Sequence, residues 1–138
     1  MNSPRLEIID LISEWHTHLR AELETSWNKE SDVAMSNTEW HILTKIYGGM
    51  HAISDITKSV YITRQATHKH LKNLQTKQLV EIYGDEQNKK KKNVQLTSQG
   101  IHLIQRYNEL KDSLEETLKK AIGVKAYNEL RIILNKWW

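Results

Sequence analysis

Apolar residues recur along most of the chain at steps of three and four, the spacing of one face of an α-helix. This pattern predicts a long first helix over residues 4–27, with a proline in its first turn, where proline is tolerated. Ser36 and Glu39 have the spacing of a capping box and predict the start of a second helix. The glycine pair at 48–49 is expected to end it.

Two short helices are predicted next, almost end to end. Residues 53–60 show an apolar face with helical spacing. Only Tyr61 and Ile62 separate them from Thr63, a candidate N-cap for a helix predicted over residues 64–75. Such a tight junction is typical of a helix-turn-helix motif.

The apolar period then changes from helical spacing to a period of two. Val80 and Ile82, and later Val94 and Leu96, alternate with polar neighbours as residues of half-buried strands do. The segment between them contains Gly, Asp and Asn and indicates the loop of a β-hairpin. Four consecutive lysines at 89–92 lie in this loop and at the start of the returning strand.

The remainder of the chain is predicted to be helical, with Thr97 capping one helix and Gly123 separating it from a last one. Only five glycines and one proline occur, so the expected fold class is mainly α with a small β-hairpin. Cysteine is absent, which excludes disulfides and thiolate-bound metal. No apolar run reaches the roughly 18 residues that span a bilayer, and no signal peptide is indicated, so we expect a cytoplasmic protein.

Charge is distributed unevenly along the chain. Residues 54–93 contain nine basic and four acidic side chains, whereas the whole chain has a formal charge of only +3. The flanking regions together are therefore net acidic. A basic middle between acidic flanks favours contact with a polyanion through the middle and a different role for the ends.

The helix predicted over 64–75 has one polar face of the kind that reads DNA. Its side chains are Arg64, Gln65, His68, Lys69 and Lys72. Arginine and lysine reach phosphates or guanine acceptors, and glutamine can bond adenine. The small Ala66 allows close approach to a thymine methyl group, and the helix N-terminus favours a phosphate. His70 falls on the inner stripe and is predicted to be packed and hydrogen-bonded.

The order of these elements resembles the MarR family of winged-helix transcriptional regulators over nearly the whole chain. The helix-turn-helix and the entry to the wing are similar in ISDITKSVYITRQATHKHLKNLQTKQLV, and the wing and the Leu-Thr-x-x-Gly turn in NKKKKNVQLTSQG. The resemblance implies a homodimer on a palindromic site in duplex DNA. It implies an N-terminal dimerisation helix (1–34), a winged helix-turn-helix domain (35–100) and C-terminal dimerisation helices (101–138).

Two positions depart from the family pattern. Gln78 stands where the family usually has a glycine that ends the helix at positive φ. At 88–90 the wing has Asn-Lys-Lys where the family commonly has Asp or Asn, one residue, then Arg. Lysine keeps the charge but lacks the planar fork of arginine, so weaker readout of minor-groove shape is expected. The His70-Leu71 pair also resembles ArsR-type repressors, but two long helices after Gly100 favour MarR.

The candidate sites follow from the helix predicted over 64–75, here called the recognition helix, from the wing and from the resemblance. The candidate DNA-binding residues are Ser54, Thr63, Arg64, Gln65, Ala66, His68, Lys69, Lys72, Lys89, Lys90, Lys91 and Lys92. The lysines are expected to supply affinity through phosphates, and the helix 64–75 to choose the sequence. The candidate dimer-interface residues are Leu6, Ile9, Ile12, Leu118, Leu130, Ile133, Leu134, Trp137 and Trp138. Two adjacent tryptophans at the C-terminus favour burial against a partner subunit.

Other classes of function are disfavoured. The histidines of the pairs His16/His18 and His68/His70 are two residues apart on helices and point in different directions, so no metal or other cofactor is expected. Neither a phosphate-binding glycine loop nor a nucleophile motif occurs, so an enzyme is not expected. Two alternatives stay open: a sequence-tolerant architectural winged-helix protein, and a protein-interaction module without DNA. A small-molecule or protein effector is compatible with the main interpretation, and the tryptophans would line its pocket or only the core.

Overall fold

The computed structural model describes residues 5–137, so the expectations for Pro4 and Trp138 lie outside the described residues. Within that range the chain forms six helices and one two-stranded antiparallel sheet, which confirms the expected mainly α class with a β-hairpin. The elements are α1 (Ile8–Glu30), α2 (Asn37–Tyr47), α3 (Ile53–Val60), α4 (Arg64–Thr76), β1 (Val80–Gly84), β2 (Lys92–Leu96), α5 (Ser98–Ile122) and α6 (Val124–Leu134). None of the helices in the described range is long and apolar enough to cross a bilayer.

The chain divides into two compact units. The first is Val33–Arg106, called here the winged unit, and the second combines Met1–Asp32 with Tyr107–Trp138, called here the helical unit. α5 begins in the winged unit and ends in the helical unit. The first helix begins at Ile8, later than the proline-based prediction, and its last residue is Glu30 rather than one near 27.

The winged unit is closed around apolar residues from every one of its elements. Its buried apolar side chains are Trp40, Ile42, Leu43, Ile46, Ile53, Ile56, Val60, Leu71, Leu74, Leu79, Val80, Val94 and Ile104. They recur at helical spacing on α2, α3 and α4, as the sequence pattern predicted, and each strand contributes one of them, Val80 and Val94. Burial of this set is the main force that holds α4 and the β-hairpin in place.

The capping box at the start of α2 is present. The Ser36 N–H donates to Glu39 Oε1 at 3.0 Å, and the Glu39 N–H donates to Ser36 Oγ at 3.1 Å. Lys77, the C-cap of α4, donates from Nζ to Glu39 Oε2 at 2.7 Å and to the Ala34 carbonyl at 2.6 Å. Burial alone would raise the pKa of the Glu39 carboxyl, but Lys77 and the Ser36 hydrogen bonds hold it below its ordinary value of 4.5.

The turn at LTSQG closes the winged unit because its residues bond to the end of the preceding segment. Thr97 Oγ1 donates to the Gln78 carbonyl at 2.7 Å and accepts from the Gly100 N–H at 3.0 Å. A Cβ on Gly100 would lie 2.1 Å from the Leu79 carbonyl oxygen, so only glycine fits this first turn of α5. Gln78 itself has a φ of 63°, so the left-handed helix end is formed without a glycine.

The helical unit contains α1, α6 and the second part of α5. Trp27 packs edge-to-face against Tyr107 with ring centroids 6.1 Å apart, and Arg20 donates to the Tyr107 hydroxyl at 2.7 Å. Burial raises the pKa of Tyr107, and burial together with the charge of Arg20 lowers the pKa of Lys111. By contrast, α6 has no buried residue.

Candidate nucleic-acid interface

Two local features form the helix-turn-helix junction: a left-handed residue that ends α3 and a side-chain cap that begins α4. α3 ends at Tyr61, whose left-handed backbone (φ 58°, ψ 41°) lets its N–H donate to the Thr57 carbonyl. Thr63 then caps α4 as predicted, because its Oγ1 accepts from the Ala66 N–H at 3.0 Å. Two residues therefore suffice to redirect the chain from α3 into α4.

A buried hydroxyl pair joins α3 to α4. Thr57 Oγ1 lies 2.8 Å from Thr67 Oγ1, and Thr67 is fully buried. Leu71 and Leu74 continue the same inner face of α4. Because these inner positions are fixed, the opposite face of α4 is held outward.

The outward face of α4 carries the predicted polar set. Its exposed side chains are Arg64, Gln65, His68, Lys69 and Lys72, whereas Ala66 is half-buried. His70 is half-buried on the inner side, but its buried Nδ1 has no hydrogen-bond partner among residues 5–137, so the prediction of a hydrogen-bonded histidine is wrong for that atom within the described range. The helical spacing correctly predicted that the His70 ring lies on the inner side of α4, but it could not show which residues surround that ring.

The wing is a regular hairpin with an ordered tip. The predicted hairpin is present, and its register pairs Val80 with Leu96 and Ile82 with Val94. At the tip, the Asp85 side chain accepts from the Gln87 N–H at 2.9 Å and the Asn88 side chain from the Lys90 N–H at 3.1 Å. These side-chain turns give the lysine segment a defined path.

The base of the wing is bonded to the loop before α3. The Val94 N–H donates to the His51 carbonyl at 2.9 Å, and His51 Nδ1 lies 3.2 Å from the Val94 carbonyl oxygen. Ala52 forms a further bridge to Asn93. The second wing strand and the loop that leads into α3 are thus fixed to each other.

A cationic cleft of about 350 Å³ lies where α3, α4 and the wing meet. Its lining residues are Ile53, Ser54, Thr57, Lys58, Arg64, His68, Lys90, Lys91 and Lys92. Five of them are lysine or arginine and none is acidic, so the cleft favours an anion. The structure therefore brings Ser54, Arg64 and His68 together with three of the four wing lysines.

The other predicted DNA-binding residues lie outside this cleft. Gln65, Lys69 and Lys72 are exposed along α4, Lys89 is exposed at the wing tip, and Thr63 and Ala66 form the cap of α4. Lys58 lines the cationic cleft but was not among the DNA-binding residues predicted from the sequence. The signal was present, because Ser54 and Lys58 are four residues apart and share one face of α3.

Comparison with known proteins supports the same interpretation of this unit. Residues 35–100 match the family model described as winged helix DNA-binding domain. Among curated protein sequences, none is similar enough to this chain to count as a match.

Solved structures resemble the chain over nearly its full length. The S. aureus MepR–DNA complex is 23% identical, covers 96% of each chain and has a TM-score of 0.78. The transcriptional regulator PA4135 is 14% identical, covers 96% of each chain and has a TM-score of 0.80. A further MepR structure, described as a transcription regulator of the Staphylococcus aureus multidrug efflux pump MepA, is 22% identical over 95% of this chain and 96% of that one, with a TM-score of 0.74.

At these identities the solved structures show the fold, and the family model matches the winged part of it. The order of helices, hairpin and closing turn that carried the resemblance is the order in the structure. The resemblance is therefore confirmed at the level of the fold: residues 35–100 match the winged helix DNA-binding domain model, and the chain shares its fold with MepR and PA4135 over nearly its whole length.

Proposed function

We propose that the protein is a transcription regulator that binds a palindromic operator in double-stranded DNA as a homodimer. The observation that carries this proposal is the cationic cleft between α3, α4 and the wing, which lies beside the exposed polar face of α4. S. aureus MepR, which shares the fold at 23% identity, has a structure in complex with DNA.

The two parts of this surface have different roles in the proposal. α4 enters the major groove, with Arg64, Gln65, His68 and Lys69 at base edges and Lys72 nearer phosphate. The wing lysines 89–92 bind backbone phosphates beside the adjacent minor groove. Base contacts select the sequence, and phosphate contacts supply affinity and orientation.

Dimerisation through the helical unit accounts for its surface. Large apolar side chains are exposed along α1 and α6, and they include Ile9, Ile12, Ile133 and Leu134. A surface of this kind marks an interface. Two subunits on one face of DNA require half-sites about one helical turn apart, ~34–36 Å.

The proposed dimer also allows DNA binding to be regulated by an effector. An effector that changes the distance between the two recognition helices would change operator affinity, and one MepR structure is described as bound to ethidium bromide. The proposal assigns residues 1–34 and 101–138 to pairing and residues 35–100 to DNA, in a cytoplasmic, non-enzymatic protein.

The test is affinity for a selected palindrome and for random duplex at two salt concentrations. A regulator should prefer its selected site by about 10³-fold or more. Equal affinity for both duplexes would replace the proposal with the architectural alternative. No binding to either duplex at low salt would leave the protein-interaction module.

A further inference from the structure

The turn between α3 and α4 contains an unusual residue for its backbone conformation. Of the described residues, only Tyr61 and Gln78 combine a side chain with a left-handed backbone, at φ 58° and 63°. This region favours glycine, because a Cβ there crowds the carbonyl oxygen. Tyr61 thus has a bulky aromatic ring where glycine would relieve strain, and strain of this kind is a starting point for a functional hypothesis.

The Tyr61 side chain has no structural role that would offset the strain. It is 92% exposed, so its ring contributes almost nothing to the core. Its hydroxyl has no hydrogen-bond partner among residues 5–137. The backbone bond to the Thr57 carbonyl, which ends α3, needs only the N–H and would be kept by glycine.

Tyr61 lies in the turn between α3 and α4, two helices that contribute residues to the lining of the cationic cleft. It is three positions from Lys58 on α3 and three positions from Arg64 at the start of α4. In the proposed complex this end of α4 enters the major groove, and the phosphates of the groove edge flank it. A phenol hydroxyl is among the side-chain groups that bond to DNA phosphate oxygens.

We infer that the exposed Tyr61 hydroxyl donates a hydrogen bond to a backbone phosphate at the edge of the groove that α4 occupies. This inference rests on the proposed function and adds a neutral positioning contact to its cationic ones. A neutral donor displaces no counterion, so its loss lowers affinity without changing the salt dependence. A phosphate contact carries no base information, so selected and random duplex are affected equally.

Two variants separate the hydroxyl from the backbone. Tyr61→Phe keeps the ring and the left-handed strain and removes only the hydroxyl. We expect it to melt as wild type does but to bind the selected duplex about tenfold more weakly per dimer. Tyr61→Gly removes the ring and relieves the strain. It should melt roughly 2–4 °C higher and lose the same affinity.

Gln78→Gly is the matched control, because it relieves the same backbone conformation at the opposite end of α4. It should raise the melting temperature in the same way and bind DNA as wild type does. The measurements are fluorescence anisotropy on both duplexes at two salt concentrations, with thermal melting of the full chain.

Three results would overturn the inference: wild-type affinity for Tyr61→Phe, a changed salt slope for that variant, or an affinity loss for Gln78→Gly equal to that of Tyr61→Gly. In each case wild type still binds its selected site, so the proposed function stands. If wild type binds no duplex, the proposed function fails and this inference fails with it.

Discussion

At the scale of single residues, an ion pair between Glu39 and Lys77 links the first turn of α2 to the end of α4. The Glu39 side chain is only 7% exposed, so its charge needs a partner, and the Lys77 ammonium supplies one at 2.7 Å. The same ammonium bonds the Ala34 carbonyl. The end of α4 is therefore held to the start of α2 by charge as well as by packing.

The stability of the pair should depend on pH with a definite sign. Because the pKa of folded Glu39 lies below 4.5, its ionised form stabilises the fold above that value, and this contribution is lost as the pH falls through the folded pKa. We expect Glu39→Gln to lower the free energy of unfolding by about 1–3 kcal/mol at neutral pH and by less at an acidic pH below the folded pKa. Urea titrations at both pH values measure this difference.

Glu22→Gln is the control for that experiment, because Glu22 is exposed on α1. It should change stability little at either pH. An equal loss of stability for Glu39→Gln at neutral and acidic pH would show that the buried charge does not explain the effect, since glutamine can keep the capping bond.

Arg64 is the residue whose substitution should change sequence preference. It begins α4, lines the cationic cleft and is exposed. An arginine that bonds a guanine edge discriminates by about 1–3 kcal/mol at that base pair. We therefore expect Arg64→Ala to relax selection at one position of each half-site when a randomised duplex library is sorted. A uniform loss across all sequences would assign Arg64 to phosphate.

At the scale of elements, local patterns predicted the helices and the hairpin of the winged unit but not the side-chain contacts between distant elements. The capping box, the Thr63 cap and the strand alternation depend on residues two to four positions apart, and each is present. The Lys77–Glu39 bond joins residues 38 positions apart, which no local pattern connects. Whether His70 Nδ1 has a hydrogen-bond partner likewise depends on residues that are distant in the sequence. The start of α1 was wrong because proline permits a helix start without requiring one.

Substitutions in the wing should change the salt dependence of DNA affinity. Its tip is ordered by two side-chain turns, and Lys90, Lys91 and Lys92 line the cationic cleft. Removing one lysine–phosphate interaction should reduce the slope of log affinity against log salt by about 0.9. Substituting lysines 89–92 with alanine should therefore flatten the slope while the preference for the selected site over random duplex persists.

A charge-matched control removes four exposed lysines from the helical unit. They are Lys29, Lys120, Lys125 and Lys136. This variant has the same formal charge as the wing variant, so general electrostatic attraction is equal in both. If both variants flatten the slope equally, the wing makes no specific phosphate contact and the lysine run is a solvated loop.

At the scale of the whole molecule, the two units have contrasting surfaces. The winged unit buries apolar residues from all its elements, whereas the helical unit leaves large apolar side chains exposed on α1 and α6. A groove of about 540 Å³ in the helical unit has an almost entirely apolar lining that includes Ile12, Trp15 and Leu134. A helical unit of this kind is explained if a second copy of the chain covers it, as the family resemblance implied.

Ile12 provides the sharpest test of that pairing. It is 56% exposed and lines the groove, so a glutamate there should leave the single chain folded but place a charge in each half of the proposed interface. Burial of unpaired charge should weaken dimerisation by about 100-fold or more. Thr17→Glu is the matched control, since Thr17 is exposed on the opposite face of the same helix. Analytical ultracentrifugation should show a monomer for Ile12→Glu and a dimer for wild type and Thr17→Glu, with helix content by circular dichroism unchanged. A stable Ile12→Glu dimer would exclude this groove from the interface.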